Sequence, residues 1–160
     1  MRRNEEVVLG SHVGGVRNIA RKLLKDARAK DVPISLYKII EHLKAQHDLE
    51  VLRFPLGAVD GLLVRVNGLP TIGFNGDTSW VRRRFTIAHE IGHLILGHTL
   101  ECGIDTDGEG EANQFAAELL MPLAILKVDY KKEPDLEKLA WKYIVSQEAM
   151  CRHLMECRIL

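Results

Sequence analysis

Apolar residues at Val16, Ile19, Ala20, Leu23, Leu24 and Ala27 recur at three- and four-residue steps, with Arg17, Arg21, Lys22, Lys25 and Arg28 between them. That period gathers the apolar set on one side and predicts an amphipathic helix over 15–30. Asp26 interrupts its basic face, which reads as a solvated surface. Ser35 is placed to cap a second helix whose buried stripe is Leu36, Ile39, Ile40 and Leu43, ending before His47-Asp48. The period then falls to two. Residues 49–54, 61–66 and 70–74 are short β-rich runs punctuated by Gly57, Asp60-Gly61 and Asn67-Gly68. Asn-Gly between two such runs signals a two-residue hairpin, because both positions tolerate positive φ. A small three-stranded, mostly antiparallel sheet is the expectation.

Ser79 can cap a helix over 80–96, and a polar, Gly-rich connection at 103–108 leads to another over 109–121. Pro122 ends that helix or opens the next element. Farther on, 136–143 and 147–157 read as two helices split at Val145-Ser146, with Ser146 as the second cap. Helices, a small sheet, then helices again define an α+β chain. It is read as one domain, 1–160, made of N-terminal helices (1–48), a central sheet with two helices (49–122) and a C-terminal helical part (123–160).

Composition narrows the functional classes. Twenty-two Lys+Arg against 22 Asp+Glu leave no net charge, and 46% hydrophobic with 28% charged residues is ordinary globular usage. Disorder and a collagen-like chain are excluded, and attraction to bulk nucleic acid or an anionic membrane is not a property of the whole surface. Cys102, Cys151 and Cys157 are odd in number and scattered, a poor disulfide framework that suits a reducing compartment. Asn4, Glu5 and Glu6 follow the first arginines, unlike a signal peptide, and no apolar run approaches the roughly 18 residues of a membrane span. A cytoplasmic protein with no membrane partner is expected.

The chemistry concentrates in RRRFTIAHEIGHLILGH, residues 82–98, which contains His89-Glu90-Ile91-Gly92-His93. Residues four apart on a helix are separated by about 40° of rotation and about 6 Å of rise, so two imidazoles can converge on one ion. Glu90, beside them, can take a proton from a bound water. The bland reading is a pair of core histidines satisfied by backbone partners, but the motif lies inside an apolar helical run of Phe85, Ile87, Ala88, Ile91, Leu94 and Ile95. Gly92 costs such a helix about 1 kcal/mol, which points to close packing or an approaching group at that position.

Zinc acting catalytically needs a third protein ligand and an open position. His98 is out of register for that ligand, so a carboxylate from EGEANQFAAELLMP, residues 109–122, is the better source. Glu109 continues the apolar face of Ala112, Phe115, Ala116, Leu119 and Leu120, and is preferred, with Glu111 in reserve. Glu118 is expected to face solvent. A donor for the developing oxyanion could come from His98, Tyr130 or Tyr143.

These two stretches resemble the ImmA/IrrE family of zinc metallopeptidases, whose members typically carry Arg-Phe-Thr ahead of HExxH and then a Glu-x-x-Ala-Asn-x-Phe-Ala helix ending in Leu-Met-Pro. DGLLVRVNGLPTIGFN resembles the family's strands, and the likeness runs well over 35–122 and more loosely beyond. The resemblance implies a zincin-like fold and a Zn2+ site made by His89, His93 and Glu109, with Glu90 as general base. It also implies a protein substrate, since some members cleave a helix-turn-helix transcriptional repressor.

Two features point elsewhere. Residues 139–160 have the rhythm of a helix-turn-helix, but Gln147, Arg152 and His153 stand beside Glu148 and Glu156, too little positive charge for good phosphate contacts. Nucleic acid is therefore not an expected partner. Arg82, Arg83 and Arg84 could bind an anion, or simply pair with surface carboxylates. The reading is a regulatory zinc endopeptidase; the alternative is a catalytically inactive zinc-binding scaffold, or a DNA- or protein-binding module using the C-terminal helices.

Overall fold

The computed structural model describes residues 13–55, 57–98 and 106–160. Cys102, residues 103–105 of the expected connection and the charged N-terminal stretch lie outside them. Two helices, α1 (Val13–Asp26) and α2 (Leu36–His47), precede the strands β1 (Glu50–Phe54), β2 (Gly61–Val66) and β3 (Leu69–Asn75). The helices α3 (Trp80–Leu96), α4 (Thr106–Leu120), α5 (Leu123–Lys132), α6 (Leu136–Tyr143) and α7 (Gln147–Glu156) follow, giving the expected α+β architecture.

Helix α1 buries Val16, Ala20, Leu23 and Leu24 and lies along α4. At the start of α2, Lys38 N–H donates to Ser35 Oγ at 3.3 Å, and Leu36, Ile39 and Leu43 turn inward. The sheet order is β1-β3-β2. Strands β2 and β3 pair antiparallel through Asn67 and Gly68, whose φ values of 51° and 81° are the positive pair a tight hairpin requires. Strand β1 runs parallel to β3 instead, with Val51 opposite Ile72, so the sheet is mixed where a mostly antiparallel one was expected. The cause is a crossing that side-chain alternation does not encode. Residues 57–60 pass the end of β3, where Asn75 grips them: its N–H donates to the Asp60 carbonyl at 2.7 Å, and its Nδ2 to those of Gly57 and Val59 at 3.0 and 3.3 Å.

Arg82 N–H donates to Ser79 Oγ at 3.2 Å, starting α3 at its expected cap. Helix α4 begins at Thr106 rather than near 109 and buries Ala112, Phe115, Ala116, Leu119 and Leu120 completely. The two helices meet at Gly92, where an added Cβ would lie 3.1 Å from Phe115 Cδ1 and 3.2 Å from Ala112 Cα. Packing at that point offsets what glycine costs the helix, and it draws the first turns of α4 over the middle of α3. Pro122 opens α5, a helix that buries Leu126 and leaves Val128 exposed, too faint a stripe to announce itself.

Glu118 does not face solvent: it is fully buried. Arg21 Nε donates to its Oε1 at 2.8 Å, Leu123 N–H does so at 3.1 Å, and His153 Nε2 lies 3.7 Å from its Oε2. Helices α1 and α7 cover the side of α4 that its own apolar face assigns to water; α1 supplies the Arg21 guanidinium and the start of α5 the Leu123 N–H, both to Oε1, while Oε2 has no hydrogen-bond partner among the described residues. The three arginines also part company. Arg82 pairs with Asp60 at 2.6 Å and Arg83 lies over the Trp80 ring. Arg84 is buried, and donates to the carbonyls of Ile34 and Ile144 at 3.0 and 3.2 Å, tying α3 to the end of α6. Helices α6 and α7 pack through Leu139, Ala140, Tyr143, Met150 and Leu154, while Arg152 and Glu148 on the outer face pair with each other at 2.6 Å. No helix among the described residues is long and apolar enough to cross a membrane.

Candidate metal centre

One turn of α3 separates His89 from His93 and sets their Nε2 atoms 3.0 Å apart, with the rings edge to face. Glu109, in the first turn of α4, reaches across the Gly92 contact to both. Its Oε2 is 3.1 Å from His89 Nε2 and its Oε1 is 2.9 Å from His93 Nε2. The three side chains form a group able to hold a metal ion. Glu111 takes no part in it; its Oε2 meets His98 Nε2 at 2.9 Å. Glu109 is more exposed than a place on the apolar face predicts, at 55% of its side chain, because that face closes at Ala112 and Glu109 stands on the rim.

Donor chemistry tests whether this group suits a metal. Ligand atoms held tetrahedrally by zinc at about 2.1 Å are about 3.4 Å apart, close to the 2.9–3.1 Å spacing here. His89 Nδ1–H donates to Asn113 Oδ1 at 2.9 Å, which leaves its Nε2 lone pair free. That lone pair and the Glu109 carboxylate are both acceptors aimed at one point, an arrangement that a cation satisfies. Burial, then the nearby His89, holds His93 below the ordinary imidazole value against the opposing pull of Glu109, favouring the neutral ring that ligates metals.

Glu90 is buried beside the pair, and burial followed by the Glu109 charge pushes its carboxyl up to about 7. It lines a cleft of about 340 Å³ with Asp60, Gly61, Thr86, His89 and Glu109. Gly61 leaves room there, since an added side chain would run into Thr86 and abut Glu90. A carboxyl poised near neutrality in a cleft can accept and return a proton. A second hollow of about 550 Å³, between α3, α4 and α7, shares Asp60, Phe85, Thr86 and Asn113 with the first, so the two are neighbours.

Of the three candidate oxyanion donors, Tyr143 is fully buried and donates to Asp129 Oδ2 at 2.8 Å, Tyr130 packs against the core from α5, and His98 bonds His93 and Glu111. Sequence reasoning missed Asn113, although it lies four residues after Glu109 and so on the same face of α4.

A family model described as the IrrE N-terminal-like domain, peptidase M78, matches residues 44–155. No curated protein sequence matches the chain. Among solved structures, a Mycobacterium tuberculosis transcriptional regulator has a similar fold, with a TM-score of 0.71 at 14% identity over 88% of this chain and 46% of that one. The chain thus spans less than half of that regulator's length.

Proposed function

Because the chain belongs to the IrrE N-terminal-like peptidase M78 family, we propose that it is a zinc-dependent endopeptidase that hydrolyses a peptide bond in a protein partner and serves regulation in the cytoplasm. The observation that carries this reading is the convergence of His89, His93 and Glu109 beside the buried Glu90. In it, residues 1–160 act as one metallopeptidase unit, and a helix-turn-helix repressor is the candidate substrate. The fold likeness to a protein titled a transcriptional regulator supports the regulatory setting.

His89, His93 and Glu109 would hold the ion. Zinc, when bound, polarises the scissile carbonyl and brings a water's pKa to about 7. Glu90 accepts the proton of the attacking water and returns it to the departing amine. Its burial keeps bulk water from competing for that proton, while Asn113 fixes the His89 ring by accepting from Nδ1–H. The cleft at Glu90 and the neighbouring hollow towards α7 offer room for parts of a polypeptide.

Mass spectrometry of the purified chain beside its His93→Ala variant tests the metal: about one zinc per chain, lost in the variant, supports the reading. Glu90→Gln separates enzyme from scaffold. Cleavage of the repressor should disappear while zinc stays bound, and a variant that cuts as fast as wild type would overturn the mechanism.

A further inference from the structure

His93 Nδ1 and His98 Nδ1 are 2.8 Å apart, and His98 Nε2 lies 2.9 Å from Glu111 Oε2. Chemistry places the protons along this chain. A carboxylate only accepts, so His98 Nε2 carries N–H and donates to Glu111. A neutral His98 then presents a bare Nδ1, and the proton between the rings belongs to His93 Nδ1. His93 Nε2 is left bare, aimed at the point where His89 and Glu109 also arrive.

The backbone builds this arrangement. Gly97, with φ of 69°, ends α3 in the left-handed region, and the next N–H, that of His98, donates back to the His93 carbonyl at 3.1 Å. The turn folds the His98 ring onto the His93 ring, and its side chain is only 14% exposed. Helix α4 therefore acts on the centre twice: Glu109 reaches it directly, and Glu111, two residues on, reaches it through two imidazoles.

We infer that Glu111 and His98 are positioning residues, forming a relay from Glu111 through His98 to His93 that fixes the tautomer and aim of the metal-binding imidazole. The inference rests on the zinc reading of the site, and the test distinguishes the two. Zinc affinity of the full chain, measured by competition with a chromophoric chelator, is compared among wild type, His98→Leu, Glu111→Leu and Glu111→Gln, with circular dichroism reporting folding. Loss of either relay member should weaken binding by about 10- to 100-fold, and the double Leu variant should lose little more than His98→Leu alone. Glu111→Gln should recover most of the affinity, because its amide oxygen still accepts from His98. A further readout needs no variant: long-range proton–nitrogen correlation spectra of the zinc-loaded wild type should show His93 as Nδ1–H and His98 as Nε2–H. A wild type that binds zinc with the opposite His98 tautomer, or folded variants that bind as tightly as wild type, overturn the relay alone. A wild type that takes up no zinc overturns both readings.

Discussion

Helix α4 carries a carboxylate of a different kind at each end. Glu118 is fully buried, and one of its oxygens, Oε1, accepts from both the Arg21 guanidinium and the Leu123 N–H, while Oε2 has no hydrogen-bond partner among the described residues and lies 3.7 Å from His153 Nε2. Glu109 is more than half exposed, yet it faces two imidazole nitrogens that converge on it. Burial would have singled out the wrong residue. What separates the two carboxylates is their setting: Glu118 is tied by a guanidinium and an N–H from neighbouring helices, whereas both oxygens of Glu109 face imidazole nitrogens in a group that could hold a cation.

The sharpest way to break that distinction is at the exposed end. Glu109→Ala should weaken zinc binding by at least about 100-fold, the upper end of what an outer partner contributes. In chelator its urea midpoint should stay within about 0.5 kcal/mol of wild type, as for other surface changes. The buried end should answer in reverse. Glu118→Ala should cost about 2–3 kcal/mol in urea denaturation, the loss of a hydrogen-bonded buried charge, while the folded fraction still binds the same amount of zinc. If the two variants had similar stabilities, the distinction would fail.

The smallest effect is a matter of pH. Burial holds His153 below its ordinary value, with Glu118 pulling the other way, so the folded protein prefers the neutral ring. The unfolded chain takes up that proton below about 6.5. The contribution is therefore fully present above that pH and is lost as pH falls through the window below it, at no more than about 1.4 kcal/mol per unit. Stability followed from pH 7 to 5 should decline by this route, and His153→Gln should flatten the decline.

Local signals carried much of this. Ser35, Ser79 and Ser146 cap the helices they announce, and Asn67-Gly68 makes its hairpin, because each acts within a few residues of itself. The spacing of His89 and His93 and the phase of Glu109 along α4 are equally local, so the three appear in the sequence nearly as they stand in the fold. Legibility ended where a second element intervenes. The parallel pairing of β1 depends on Asn75 gripping residues 57–60, the burial of Glu118 on α1 and α7 arriving at the far side of α4, and the bond from His98 to Glu111 on how α3 ends above α4. Helix α5 escaped for a different reason, since one fully buried residue, Leu126, is too little apolar rhythm to read.

Because α3 and α4 touch at Gly92 with no room for a side chain, close packing braces the wall that carries His89, His93 and Glu109. The facing lip is held differently: Gly61 pairs with Phe74 in the sheet, the Asp60 carbonyl accepts from Asn75 N–H, and the Asp60 carboxylate pairs with Arg82 at the surface. A surface pair of that sort is worth about 0–1 kcal/mol. The two walls of the cleft are therefore secured by different means, one by side-chain packing and the other by backbone pairing and a surface ion pair.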